Sequence, residues 1–306
     1  MRTSLNILFF GAGVAGEIAR SAIAGAGHRI TPAENFSPDL ADRPDVLLSV
    51  GYPRKIDAAL LNLPRLGAFN VAFSQLPRYR GAFPLRWAIL NDEPLWGVTM
   101  HQMTAQYCDG PILQRRTVVT HPRDNAHELY LRCSAAAGRA AVDGLQLLAK
   151  GDYQLAPAPP IAAPFFSPAL PFAGRIDWHQ SASKIDCFIR ALDFGHATPG
   201  GYQHLTPPAI ATLGGREIGI WRARSGGTMS VYPPGTITRC DSQVWVQAGR
   251  GHVVVEKICV SGIDYDAGDY LASIGVSAGD AFEPDVVWNL SNITGQSPER
   301  EFSHAA

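Results

Sequence analysis

Short apolar runs alternate with stretches of helical spacing through the first half of the chain. Residues 5–10 (LNILFF) are long enough for one buried strand. They fall far short of the roughly 20 apolar residues of a membrane span. GAGVAG follows at 11–16, and EIARSAIAGAG then keeps helical spacing, so the chain opens as strand, glycine turn and helix. The positive start, Met1-Arg2, is not read as a secretion signal, because Gly11, Gly13, Glu17 and Arg20 interrupt the apolar run. Further strands are predicted at 46–50, 68–73 and 96–103, the last rich in β-branched and aromatic residues. A long helix is predicted over 125–150, where Leu129, Cys133, Ala136, Ala137, Ala140, Leu145 and Leu148 recur at near-helical intervals. Strands alternating with helices predict an α/β fold, a doubly wound and mostly parallel sheet covered on both faces.

The pattern changes near the middle. Residues 156–172 (APAPPIAAPFFSPALPF) hold six prolines and read as an extended, semi-rigid linker. One helix is predicted over 181–192, capped by Ser181 or Ser183. Short strand-like runs follow: IGIWRA, GTITR, QVWVQAG and HVVVEKICV, separated by Gly, Pro and Asp turns. They predict a small β-barrel or sheet. The expected organisation is an α/β domain over 1–158, a linker over 159–172 and a β-rich domain over 173–306. The tail from Asn289 is polar and reads as loose. No internal repeat is visible.

Composition narrows the functional classes. At 306 residues, with 46% hydrophobic and 17% charged, the chain is ordinary globular material with room for a core. A net charge of −1 gives no basic field for nonspecific nucleic-acid binding. Five cysteines, at 108, 133, 187, 240 and 259, show no CxxC spacing. That argues against a disulfide scaffold or zinc knuckle and fits a reducing cytoplasm, the expected location. Histidines 28, 121, 127, 179, 204, 252 and 304 form no ligand spacing, so no metal is expected.

Two stretches carry candidate chemistry. GAGVAG matches GxGxxG, which places a dinucleotide pyrophosphate at a helix N-terminus. The fingerprint also needs an acidic residue about 20 positions on, and RITPAENF offers only Glu34. The alternative is that these glycines permit a tight turn and close helix packing. The denser stretch is GAFNVAFSQLPRYRGAFP (67–84), followed by GAFPLRWAILNDEPLWGVTMHQM and YCDGPIL.

This order resembles the folate-dependent formyltransferases, a family that includes methionyl-tRNA, sugar-nucleotide and peptide-synthetase-associated members. Their pattern runs Asn-x-His-x-Ser-x-Leu-Pro-x-Tyr/Trp-Arg-Gly, then Gly-Val-Thr-Ile-x-x-Met, then Leu-Asp-Thr-Gly-Asp-Ile-Leu. The resemblance resumes at RIDW (175–178) and at the helix ending Ile189-Arg190-Ala191. It implies a formyltransferase-like α/β domain, shortened, and a small C-terminal β-barrel-like domain. It implies N10-formyltetrahydrofolate as donor and a small-molecule amine as acceptor. In that chemistry a neutral amide and an imidazole donate to the oxyanion, and a carboxylate helps move the amine proton.

The chain departs from the pattern at decisive places. Asn70 matches the family Asn, but Ala72 stands at the His position and Cys108 at the Asp position, with Asp109 one residue away. The resemblance places Tyr52 and Pro53 beside the pterin. It places Ser74, Arg78, Tyr79, Arg80 and Gly81 on the loop bordering the site, and His196 near the cleft. Cys108 has two readings, a thioester-forming nucleophile or a small apolar filler. His101 lies on the WGVTMHQM strand, with its facing unread. Only about 30 residues separate the start of the first helix from DVLLSVGY, where the family usually carries another strand–helix unit and often a basic loop. That absence argues against tRNA as the acceptor. The leading expectation is formyl transfer to a small amine in biosynthesis, with a non-standard catalytic set. The alternatives are a same-fold enzyme with a changed reaction, such as another acyl transfer or a hydrolysis, and a noncatalytic binding relative. The residues indicate no oligomeric state.

Overall fold

A computed structural model describes residues 4–37, 43–157, 165–166, 169–195, 207–227 and 231–284. The first half runs β1 (Asn6–Gly11), α1 (Gly13–Gly25), β2 (Arg29–Pro32), β3 (Val46–Val50), α2 (Ala58–Leu61), β4 (Ala68–Ala72), β5 (Arg80–Gly81), α3 (Pro84–Leu90), β6 (Leu95–Gln102), β7 (Ile112–Val119) and α4 (Ala126–Lys150). Six of these strands form one sheet in the order β2-β1-β3-β4-β6-β7. The sheet is parallel from β2 to β4 and antiparallel at β6 and β7. The antiparallel β6–β7 pair follows from the short 103–111 connection, which can return a hairpin partner but cannot make a parallel crossover.

The two faces of this sheet are covered unequally. Ile7, Phe9, Val46, Leu48, Val50, Phe69 and Val71 alternate onto one face and pack beneath α1 and α4. The glycines at 11–16 serve this packing. A Cβ on Gly16 would lie 2.8 Å from the carbonyl carbon of Gly11, so only glycine lets α1 sit this close to the end of β1. The N–H of Ala15, in the first turn of α1, is bonded to the Tyr130 hydroxyl of α4 at 3.2 Å. Gly16→Ala is expected to destabilise the protein by roughly 1–3 kcal/mol through this overpacking, read as a lower urea midpoint.

The opposite face carries Leu8, Phe10, Leu47 and Ala68, joined by Ile56. It is covered by half-buried residues of short segments, among them Phe36, Tyr52, Leu60 and Met103, rather than by a second layer of long helices. α4 has a capping box between Asn125 and Glu128 and ends at Gly151 with φ 72°. The Asn125 amide also donates to Asp193 Oδ2 at 2.7 Å, fastening the start of α4 to the chain beyond it.

Part of the proline-rich stretch is docked. β8 (Phe165–Phe166) pairs in parallel with β5, and the Phe166 ring stacks 4.7 Å from that of Tyr79. α5 (Ala182–Leu192) is capped by Ser181, whose hydroxyl accepts the Lys184 N–H at 3.4 Å. It packs against α3, α4 and the second sheet, so one continuous core joins the two sheets.

The second sheet comprises β9 (Ala209–Leu213), β10 (Arg216–Gly226), β11 (Ile237–Cys240), β12 (Val244–Gln247), β13 (His252–Val260) and β14 (Ile263–Asp266), followed by α6 (Ala267–Ser273). It is antiparallel throughout, in the order β11-β12-β13-β10-β9, with β14 also on β13. Among the described residues no strand pair joins β9 to β11. Residues 279–283 span the gap: Phe282 N–H donates to Gly235 O at 2.9 Å and Glu283 N–H to Thr212 O at 2.8 Å. The barrel-like closure therefore comes from an irregular segment, pinned by Phe282 stacked on Trp178 at 5.1 Å. The tail from 289 lies outside the described residues.

Candidate active site

The site is built on the thinly covered face, where β4 meets β6. Their antiparallel register sets Asn70 opposite His101 and Ala72 opposite Thr99. Period-two alternation then puts all four side chains on one face. Asn70 Nδ2 lies 3.2 Å from His101 Nε2, and His101 Nδ1 lies 2.9 Å from its neighbour's carbonyl, Gln102 O. A carbonyl oxygen only accepts, so the Nδ1 atom carries the proton. Nε2 is then the lone-pair nitrogen, and the Asn70 amide donates to it. His101 is 3% exposed, and burial pushes its imidazole down to about 4, against a smaller upward pull from the Gln102 carbonyl. It stands neutral at physiological pH. A β-bulge lies beside it: Met100 pairs with Gln114 but His101 with Ile112.

Thr99 fixes the adjoining loop. Its hydroxyl donates to Ser74 O at 2.6 Å and accepts the Leu76 N–H at 3.2 Å. Arg115 adds two bonds from its guanidinium to Leu76 O, at 3.0 and 2.9 Å. Ser74 is itself buried. The loop that follows Asn70 is thereby tied to both β6 and β7.

The two substituted positions share one apolar neighbourhood. Ala72, Leu76 and Ile112 form a small apolar cluster, and Cys108 packs against it. Burial pushes the Cys108 thiol up, outweighing the opposing Gly81 N–H and Arg80 charge. Those surroundings act against the thiolate that a nucleophilic role requires. Cys108 instead fills apolar space beside Ala72, at a left-handed φ of 54°. Asp109 points elsewhere, with Oδ1 3.7 Å from Arg80 Nη1.

The remaining expected residues divide. Tyr79 is turned into the core rather than toward a pocket: its ring lies 4.8 Å from Trp96 and its hydroxyl donates to Glu93 at 2.6 Å. Burial is the main reason its phenol is pushed up to about 12. Arg78 is exposed, pairs with the same Glu93 carboxylate and lies over the Tyr79 ring. Gly81 has φ 128°, and a Cβ there would strike Phe166 O, so its role is the close approach of β5 and β8. Tyr52 leaves the C-terminal end of β3 and rests edge-on against Phe10 at 5.1 Å, with Arg54 over its ring and Pro53 exposed beside it. His196 lies outside the described residues. Among the described residues, no group of three or more His, Cys, Asp or Glu side chains could hold a metal ion. Nor is any helix there long and apolar enough to cross a membrane.

A mixed α/β sheet carrying the candidate site is thus followed along the chain by an antiparallel sheet. The family follows from the comparisons. Residues 28–145 match the formyl transferase model, and residues 171–273 match that of the formyl transferase C-terminal domain. The chain belongs to the formyltransferase family. The methionyl-tRNA formyltransferase of Agathobacter rectalis is 28% identical over 240 residues, covering 78% of this chain and 74% of that protein. HypX from Aquifex aeolicus, in a crystal structure with tetrahydrofolic acid, superposes with a TM-score of 0.67 at 17% identity, over 96% of this chain and 51% of the other. This chain thus spans about half the length of HypX. An N-formyltransferase from Helicobacter canadensis, in complex with folinic acid and dTDP-3-aminofucose, gives 0.60 at 15% identity, over 83% and 98% of the two chains. At these identities the two structures share the fold.

Proposed function

We propose that this protein transfers a formyl group from N10-formyltetrahydrofolate to a small-molecule amine. The observation that carries the reading is the half-buried Asn70 amide. Among the described residues its side chain spends one N–H on His101 and keeps a second for an oxygen in the site. The donor fits on a second count. Tyr52 and Met103 form a half-buried apolar ledge over Phe10, Leu47 and Ala68, on the same sheet face as Asn70, suited to a flat heteroaromatic ring. Relatives of this fold crystallise with tetrahydrofolic acid, and with folinic acid and an amino-sugar nucleotide. Bound formyl-folate would supply the activated one-carbon group. Asn70 would donate to the formyl oxygen as charge gathers there, a contribution typically of about 10²–10³ in rate. Deprotonation of the amine falls to solvent, because His101 commits its acceptor nitrogen to Asn70, Cys108 sits in an apolar contact and Asp109 is turned to Arg80.

The apolar cluster at Ala72, with Cys108 packed against it, also favours a second reading, a folate-binding relative that performs no transfer. Incubation with 10-formyltetrahydrofolate and a panel of amino sugars, amino acids and hydroxylamines separates them. Tetrahydrofolate release with a formylated product detected by mass spectrometry supports the transferase. Binding of the donor without product from any acceptor supports the second reading.

A further inference from the structure

We infer that His101 is a positioning residue, which holds the Asn70 amide in the one rotation that keeps an N–H directed into the site. The inference rests on the transfer reading above and concerns a residue at an open position of the family pattern, apart from the three catalytic positions held here by Asn70, Ala72 and Cys108.

The constraint passes through three groups in sequence. Gln102 O accepts from His101 Nδ1 at 2.9 Å, which leaves the other ring nitrogen without a proton. That nitrogen accepts from Asn70 Nδ2 at 3.2 Å. An Asn70 amide turned through a half-circle would set its carbonyl oxygen against the imidazole lone pair, two acceptors facing each other. The amide therefore has one stable rotation, and its second N–H has one direction. In water an asparagine amide turns freely, and each turn replaces a donor by an acceptor. A preset donor avoids reorganisation when charge develops on the formyl oxygen.

The Gln102 carbonyl is held in turn. The Gln102 N–H donates to Pro111 O at 2.8 Å, and a Cβ on Gly110 would lie 1.9 Å from Gln102 O. Glycine at 110 thus lets the loop close over the carbonyl that sets the tautomer. Burial keeps the imidazole neutral, so the acceptor nitrogen persists across the physiological range.

Two variants and one spectrum test this. His101→Leu keeps apolar volume and removes the acceptor; His101→Gln returns an acceptor oxygen. The expected result is a kcat about 10- to 100-fold lower in His101→Leu, with KM little changed, and substantial recovery in His101→Gln. Nitrogen-15 NMR of wild-type imidazoles should show His101 protonated at Nδ1 and bare at Nε2. Equal loss in both variants, or a proton on Nε2, overturns the inference. If wild-type protein transfers no formyl group, the transfer reading fails, while the NMR tautomer still decides whether His101 orients Asn70.

Discussion

Asn70→Ala is expected to lower kcat for formyl transfer by about 10²–10³ while leaving the fold and the affinity for a folate analogue nearly unchanged. The side chain is half-buried and makes one bond among the described residues, to His101, so its removal costs little packing. What is lost is a donor aimed at an oxygen that gains charge only as the acceptor attacks. Such a loss appears in kcat and kcat/KM together. Asn70→Asp should be at least as damaging, because a carboxylate would face that oxygen with like charge. It would also draw a proton onto His101 Nε2, where the wild type has a lone pair. Stopped assays with saturating donor, paired with calorimetric binding of 5-formyltetrahydrofolate, separate the rate effect from a binding effect. An Asn70→Ala enzyme with wild-type kcat would remove Asn70 from the reaction.

The second large effect is on stability in acid. His101 sits near 4 in the folded protein and near 6.5 when unfolded. Between these values the unfolded chain binds a proton that the folded chain refuses, so stability falls as pH drops from about 6.5 to about 4. Fully developed, this single group costs about 3 kcal/mol. His28 works in the same direction, lowered by burial, with its Nδ1 accepting the Leu5 N–H at 3.2 Å. Asp186 opposes them over the lowest part of the range, since burial pushes its carboxyl up. Urea unfolding at pH 7 and pH 4.5 should show a marked drop in midpoint for the wild type and a smaller one for His101→Gln. Parallel drops in both proteins would show that the imidazole titrates normally.

Much of this arrangement can be read from residue patterns, and the exceptions have physical causes. The long periodic elements, α1, α4 and α5, and the central strands β1, β3 and β4 follow from their apolar spacing, because each is buried on at least one full face. β7 escapes that reading: Gln114, Arg115 and Arg116 interrupt its apolar residues, as suits an edge strand. The direction of β6 is equally hidden, since apolar alternation is the same in parallel and antiparallel pairs. Phe165 and Phe166 lie in a stretch whose proline content says linker, yet they pair with β5 through contacts no local pattern encodes.

The site shows the same division. Asn70 and the two substitutions at 72 and 108 stand out by motif. The facing of His101 was available from alternation, because Trp96, Val98 and Met100 occupy the core side of β6 and leave Thr99 and His101 on the other. Its register against Asn70 was not, since that depends on pairing across 31 residues of chain. Tyr79 misleads for a related reason: its motif position says loop, but its left-handed backbone turns the ring inward onto Trp96 and Phe166.

The account stands on the donor, and one titration addresses it. Calorimetry of the wild-type chain with 5-formyltetrahydrofolate is predicted to show micromolar binding, weakened in Tyr52→Ala, where the aromatic ledge on Phe10 is lost. No heat of binding at millimolar ligand would contradict the folate reading and leave the Asn70–His101 pair to serve a different acyl group.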